Sequence, residues 1–314
     1  MGKVWLDKAK VDINDEFYTR YCDIEQAMQY FTGALEGKTV YCNCDDYRKS
    51  QFVRYLVRNF NALKLKRVIS THYIAIDLCC FTSDDRGRPM CLDIQEVCDD
   101  VPEDWDEAVY TLIQSPMNTL TKLKGDGSFD SKECIRLLDE CDVVITNPPF
   151  SLFGEHLDMV LNHGKDILSI GPIFASTYNL VLPWICGGQV RCFGSVKLFT
   201  IPNGSEKKFG NICWYTSMDM GRCSEKEHIR TGRTMGDMER PMIEGTDALF
   251  IDKVAHMPDD YDGIMALPVS AITCDWLYND FDITGKHDNP FIRVNGNPKN
   301  TFKRILVRRK TTSY

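Results

Sequence analysis

The chain has 314 residues, 43% of them hydrophobic and 26% charged, a composition that excludes a disordered, collagen-like or coiled-coil protein. Its 37 Lys and Arg against 45 Asp and Glu give a net charge of −8, and the whole excess lies in the first half: residues 1–150 carry 18 basic and 26 acidic side chains, residues 151–314 carry 19 of each. A polyanionic partner would therefore dock on the second half, and a chain of this length buries a large core without metals or disulfides.

The first residues, Met1-Gly2-Lys3-Val4-Trp5, contain no apolar signal region. Thr39-Val40-Tyr41-Cys42-Asn43-Cys44 is a short β-rich run, and Phe52, Val53, Leu56, Val57 and Phe60 follow it at helical spacing. Lys66 to Thr71 predicts a second strand. Met90 to Thr121 has no Lys or Arg but eight acids between Asp93 and Glu107, and reads as a solvated insertion. Ser131 to Glu140 predicts a helix, Asp142 to Thr146 a strand, Leu152 to Asn162 a helix and Ile167 to Ile170 a strand. The uncharged stretch Ile167 to Val190 is long enough to cross a bilayer, yet Gly171, Pro172, Asn179 and Pro183 divide it into a buried strand, a loop and a short helix. Beyond residue 189 the style changes: Gln189 to Phe193, Lys197 to Ile201 and Asn211 to Ser217 predict strands joined by turns such as Pro202-Asn203-Gly204, paired antiparallel. Lys303 to Lys310 closes the chain as a strand with a basic tail.

Short apolar strands each followed by a helix indicate βαβ units, hence an α/β fold with a mostly parallel sheet flanked by helices and an antiparallel C-terminal portion. The 14 cysteines lie in apolar runs and form no C-x-x-C pair, which points to a reducing compartment and no structural metal. The expectation is a soluble cytoplasmic protein with no membrane or metal partner, for which a monomer would suffice.

The chemistry concentrates in Asp142-Val143-Val144-Ile145-Thr146-Asn147-Pro148-Pro149-Phe150. In open α/β sheets ligands bind at the carboxyl ends of strands, where this tetrapeptide stands. The two prolines fix φ and drive Asn147 out of the helical region. The Asn147 amide oxygen and the Pro148 carbonyl thereby become rigid acceptors for the two hydrogens of a planar exocyclic amine, leaving the nitrogen lone pair directed out of plane. Phe150 supplies a flat face for a base, worth about 1–3 kcal/mol. Methyl transfer to an amine nitrogen requires such an arrangement. The alternative, a plain strand-terminating turn, fits the βαβ setting less well.

Asn147-Pro148-Pro149-Phe150 after an apolar strand resembles the catalytic motif of S-adenosylmethionine-dependent N6-adenine methyltransferases. Four further blocks resemble, in order, those of the EcoRI-type adenine-specific DNA methyltransferases: Asn14 to Thr19 with Asp23-Ile24-Glu25, Val40 to Asp46, Ser70 to Tyr73, and Gly125-Asp126-Gly127-Ser128-Phe129. The resemblance implies a Rossmann-like methyltransferase fold. It implies Asn147, Pro148, Pro149 and Phe150 as catalytic, and Phe17, Tyr18, Asn43, Cys44, Asp45, Thr71 and Asp126 as the S-adenosylmethionine set, with Asp126 on the cofactor's adenine. It further implies double-stranded DNA as partner, base flipping, a catalytic core over residues 1–217 and a target-recognition portion over 218–314. Two features depart from the wider superfamily. Cys42-Asn43-Cys44-Asp45-Asp46 stands in place of a glycine-rich loop, and no acid closes the strand at Thr71, leaving Asp45 or Asp46 to hold the ribose. His72, beside that strand end, is expected to pack rather than catalyse. Gly33-Ala34-Leu35-Glu36-Gly37-Lys38-Thr39 has one residue too few for a phosphate loop and precedes its strand. The basic residues Lys207, Lys208, Arg222, Lys226, Arg230, Arg233 and Arg240, with Arg304, Arg308, Arg309 and Lys310, form a diffuse candidate DNA face. The rival readings are a methyltransferase of RNA bases or of a protein glutamine amide, and a catalytically silent DNA-binding relative.

Overall fold

The computed structural model describes residues 18–74, 88–200, 205–221, 228–237, 241–294 and 297–311. The chain divides into two compact units, Met1–Gly171 with Val196–Gly221, and Pro172–Ser195 with Arg222–Tyr314.

Four parallel strands form the centre of the first sheet: β2 (Thr39–Cys42), β3 (Arg67–Thr71), β6 (Val143–Thr146) and β7 (Asp166–Pro172). Val40 pairs with both Val68 and Val143, and Val143 with Asp166, all in parallel register. Such strands are covered on both faces and read as unbroken apolar runs. Val40, Tyr41, Cys42, Val144 and Ile145 are fully buried, and a buried apolar side chain contributes about 1.5–3 kcal/mol. Among the described residues the sheet has nine strands in the order β1-β8-β9-β7-β6-β2-β3-β4-β5. Its remaining members are β1 (Tyr18–Thr19), β4 (Met90–Ile94), β5 (Thr119–Lys122), β8 (Arg191–Thr200) and β9 (Glu206–Thr216). The chain passes from β2 outward to β3 and later returns to β6 on the other side of β2, so the switch point lies between β2 and β6.

The helices follow their sequence signals. After α1 (Tyr21–Met28), α2 (Gln51–Arg58) begins at Ser50, whose hydroxyl oxygen accepts from the N–H groups of Phe52 and Val53, and buries Phe52, Val53, Leu56 and Val57. Asp104 caps α3 (Trp105–Leu112) and Ser131 caps α4 (Lys132–Glu140) in the same way. α5 (Phe153–Asn162) follows β6.

Two expectations change in detail. The acidic stretch is no insertion: β4 and β5 extend the sheet as an antiparallel edge. Leu92, Ile94, Trp105 and Leu112 enter the core between the acids, while Asp93 accepts from Nε and Nη2 of Arg67, whose Nη1 goes to Glu140. The two predicted strands Gln189 to Phe193 and Lys197 to Ile201 fall on one continuous strand, β8 (Arg191–Thr200), which starts after Val190, while Ile201 lies outside the described residues. The Pro202-Asn203-Gly204 turn lies outside the described residues.

The second unit carries α6 (Leu182–Cys186) and a smaller sheet of order β10-β11-β15-β12. It comprises β10 (Leu249–Phe250), β11 (Met265–Pro268), β12 (Phe281–His287) and β15 (Arg304–Arg309), with α7 (Asp275–Asp280) leading into β12. β15 pairs antiparallel with both β11 and β12, the antiparallel C-terminal portion expected from sequence. β13 (Phe291–Val294) and β14 (Asn297–Asn300) form a hairpin. The uncharged stretch resolves into β7, a 3₁₀ turn at Ile173–Thr177 and α6, and no described helix is long and apolar enough to cross a membrane.

Candidate active site

The carboxyl ends of β2 and β6 flank the switch point, and both carry predicted site residues. After Thr146 the chain runs through half-buried Asn147, buried Pro148 and half-buried Pro149 and Phe150. It tightens into a 3₁₀ turn, Phe150–Leu152, in which the Leu152 N–H donates to the Pro149 carbonyl at 2.9 Å. The Phe150 ring meets Phe199 and Phe209 edge to face, at 6.1 and 6.5 Å between centroids, and Phe199 and Phe209 are themselves perpendicular at 5.4 Å. This packing fixes the plane of Phe150. The Lys207 ammonium lies 5.2 Å from the Phe209 ring centre.

Beneath the turn lies Asp45, 6% exposed. One carboxylate oxygen accepts from the Thr146 hydroxyl at 2.5 Å and the Asn147 N–H at 3.4 Å, the other from the Ser50 hydroxyl at 2.7 Å. The Thr146 oxygen in turn accepts the Cys44 N–H at 3.1 Å. The Asp45 backbone is equally held: its N–H donates to the Thr71 carbonyl at 2.9 Å and its carbonyl accepts the Ser70 hydroxyl at 2.6 Å. Burial pushes the Asp45 carboxyl up to about 6, against the pull of the Thr146, Ser50 and Asn147 donors, with neighbouring Asp46 adding to the rise. Asp45 thus ties the ends of β2, β3 and β6 to the N-terminus of α2.

Asn43 and His156 form a second buried pair, 2.9 Å from Asn43 Oδ1 to His156 Nε2. His156 sits on the inner face of α5 with the edge of Phe129 against it at 5.1 Å. Burial lowers its pKa to about 3, so the ring is neutral and donates Nε2–H to Asn43. The Asn43 side chain is thereby oriented with its Nδ2 donors turned away from His156, buried and without a hydrogen-bond partner among the described residues.

At the end of β3, Thr71 turns its hydroxyl inward to the Tyr41 phenol at 2.7 Å. His72 is buried, its Nε2 3.3 Å from Arg48 and 3.9 Å from Asp46, so it packs against an ion pair. Arg48 donates to both Asp46 oxygens at 2.9 Å, and together with His72 it holds that carboxyl below its usual range despite burial. The Gly125–Ser128 loop docks on this strand end through the Ile74 N–H to the Asp126 carbonyl, 2.8 Å. Gly127 stands at φ +75°, where a Cβ would run into the His72 carbonyl oxygen. Asp126 is half-buried, with one oxygen accepting the Ser128 N–H at 3.0 Å. Tyr18, on β1 opposite Thr200, has the Lys49 ammonium 5.8 Å from its ring centre. Asn14 to Phe17 lie outside the described residues.

The sheet therefore brings Asn43, Cys44, Asp45, Thr71, Asp126 and Asn147 to Phe150 to one end of its parallel strands. Of these, Asp45 and Thr71 spend their side chains inside the protein, and half-buried Cys44 has its thiol pKa pushed up by burial. Asn43 and Asp126 keep polar atoms for a ligand. The unanswered Asn43 donors fit a small polar cofactor at this end of the sheet. Among the described residues no group of three or more His, Cys, Asp or Glu is gathered for a metal.

Comparison with known proteins gives a consistent result. The model of the family described as adenine-specific methyltransferase EcoRI matches residues 5–313. The chain is 32% identical over 285 residues to the Type II methyltransferase M.EcoRI of Escherichia coli, spanning 84% of each chain. It is 26% identical over 325 residues to the Type II methyltransferase M.MgeORF184P of Mycoplasma genitalium, covering 96% of this chain and 92% of that one. It is likewise 26% identical over 320 residues to the Type II methyltransferase M.MpnI of Mycoplasma pneumoniae, covering 96% and 91%.

Proposed function

The chain belongs to the EcoRI family of adenine-specific methyltransferases, and on that premise we propose that it methylates N6 of an adenine flipped from duplex DNA into the crevice above Asn147-Pro148-Pro149-Phe150. The family gives the enzyme class, an adenine-specific DNA methyltransferase, and implies the use of S-adenosylmethionine. The observation that carries the reading is the seating of Asn147 at the carboxyl end of β6, beside the switch point and over the Asp45 network.

S-adenosylmethionine, when bound, supplies an electrophilic methyl group on a sulfonium. The chain supplies position. Asn147 Oδ1 and the Pro148 carbonyl accept the two N6 hydrogens, and as neutral oxygens they stabilise the positive charge that develops on that nitrogen. Phe150, its plane set by Phe199 and Phe209, stacks on the flipped base, and extruding that base is what exposes N6. Asp45 acts as a positioning residue: it holds the Asn147 N–H and the Thr146 hydroxyl, so the turn is formed before substrate arrives. Asn43, oriented by His156, and Asp126 are the groups to hold the cofactor, with Tyr18 and Phe17 on its methionine side. Residues 1–217 carry cofactor and chemistry, and residues 218–314 meet the DNA. Relatives named as Type II methyltransferases place such activity in restriction–modification.

The test is tritiated methyl transfer with duplex DNA, total RNA and denatured protein as parallel acceptors, for wild type and Asn147→Ala. Label in DNA that Asn147→Ala abolishes, with cofactor affinity unchanged, is expected. Label confined to RNA or protein would overturn the substrate, and an active Asn147→Ala would overturn the role of the turn.

A further inference from the structure

Residues 228–235 have no regular structure until a 3₁₀ turn at Met235–Asp237, yet three carboxylates hold their backbone. The Ile229 N–H donates to Asp280 at 2.8 Å. The Thr231 N–H donates to both oxygens of Asp259 at 3.1 Å, and the Gly232 N–H to the same carboxylate at 2.8 Å. The Met235 N–H donates to Asp260 at 2.8 Å, and the Asp259 N–H returns a bond to the Arg233 carbonyl at 2.7 Å. Gly232, at φ +68°, makes the left-handed step that lets one carboxylate take two successive amides. His228 pairs with Asp280.

Two of these three acids, Asp280 and Asp259, reach the basic end of the chain. The Asp280 carbonyl accepts the Lys310 N–H at 2.9 Å. Asp259 is held below the usual carboxylate range, burial being outweighed by the Thr231 and Gly232 donors with the charge of Arg309. Two of the basic stretches that look scattered in the sequence are therefore joined on Asp259 and Asp280. The oxygens of these carboxylates are taken up by backbone amides and His228, and neither carboxylate forms an ion pair with Arg230 or Arg308 among the described residues. Arg230 is exposed and makes no ion pair among the described residues. Arg308, exposed on β15 opposite Asp282 in the register, makes none either.

A segment this firmly held loses little conformational freedom on binding. A guanidinium on a fixed backbone suits bidentate pairing with the O6 and N7 acceptors of guanine in the major groove. We propose that the acid-clamped segment 228–235 reads the DNA sequence, with Arg230 meeting a base edge and Arg308 on β15 meeting a phosphate. The proposal rests on the reading of the chain as a DNA methyltransferase and adds the element that selects its site.

The test uses the full chain. The methylated sequence is mapped on genomic DNA, a duplex bearing that sequence is made, and Arg230→Ala, Arg230→Lys and Arg308→Ala are compared with wild type. Arg230→Ala is expected to raise the KM for that duplex roughly 5- to 150-fold, the range of one base contact. It should also relax the recognised sequence at one position, with cofactor affinity unchanged. Arg230→Lys should relax the same position, since it keeps the charge and loses the fork. Arg308→Ala should weaken all sequences alike and lower the salt dependence of binding by about one phosphate contact. An Arg230→Ala enzyme with wild-type KM and an unchanged methylated sequence overturns the proposal. A wild-type enzyme that labels no DNA overturns the activity on which it rests, a different and separately read outcome.

Discussion

Asp45→Asn removes the charge beneath the turn at residues 147–150, the proposed catalytic element, while keeping the shape. The carboxylate serves three donors, Thr146, Ser50 and the Asn147 N–H, and the Thr146 oxygen also accepts the Cys44 N–H. An amide has one oxygen for this work and presents an N–H to whichever donor remains. A hydrogen bond to a charged group contributes about 1.5–3 kcal/mol, so loosening the Asn147 turn by one such bond predicts a fall in kcat of roughly 10- to 150-fold. The pH behaviour separates activity from stability. The folded carboxyl titrates near 6 against an ordinary 3.8, about two units, or about 3 kcal/mol. Between those values the folded protein takes up a proton that the unfolded chain does not, so the contribution of this group to stability is highest in acid and falls as pH rises to 6. Activity runs the other way, because protonation turns one acceptor oxygen into a donor, and kcat should drop about tenfold per unit below pH 6. The assay is kcat at saturating DNA and cofactor from pH 5 to 8, with thermal melts across the same range. Asp45→Asn should show a low kcat without that acid limb and a melting temperature less dependent on pH. Wild-type kcat in Asp45→Asn, or an intact kcat with a raised KM for cofactor, would refute the positioning role and return Asp45 to the cofactor.

Three further outcomes are expected. Phe150→Ala should lower kcat/KM for DNA roughly 5- to 150-fold in steady-state assays, the worth of one base stack, and leave calorimetric cofactor affinity unchanged. His156→Leu should weaken cofactor binding by leaving Asn43 unoriented, whereas wild-type affinity should not vary with pH between 5 and 8 through this residue, whose ring stays neutral down to about 3; a titration near 6.5 would contradict that. Gly127→Ala should weaken cofactor binding and lower the melting temperature, because the new Cβ collides with the His72 carbonyl at a positive φ.

The turn at residues 147–150 was legible because a buried parallel strand writes itself as an unbroken apolar run, and Val143 to Thr146 is followed at once by a breaker that is also a chemical motif. The β2–α2–β3 unit was legible for the same reason, reinforced by the Ser50 cap. What escaped reading depends on contacts between distant parts of the chain. His156 shows in sequence only as a polar residue on an apolar helix face, since Asn43 lies 113 positions away. Asp45 sits in a cofactor block, and its partner Thr146, 101 positions on, turns its side chain from the crevice to the turn. The edge strand β4 was hidden by Asp93 among its buried residues, and β5, Thr119–Lys122, buries no side chain that would give it an apolar signal. β8 read as two strands because Gly194, at φ +57°, and Ser195 interrupt the alternation. The joining of the basic stretches rests on Asp259 and Asp280, acids that composition counts against a DNA face.

The central claim is N6 methylation of adenine in DNA by the turn at Asn147. Its most direct measurement is nucleoside analysis of DNA from cells that lack adenine methylation and express either the wild-type chain or Asn147→Ala. N6-methyladenine with the wild type and none with the variant is the predicted result. Methylation of cytosine instead, no modified base with the wild type, or N6-methyladenine persisting in Asn147→Ala would contradict it.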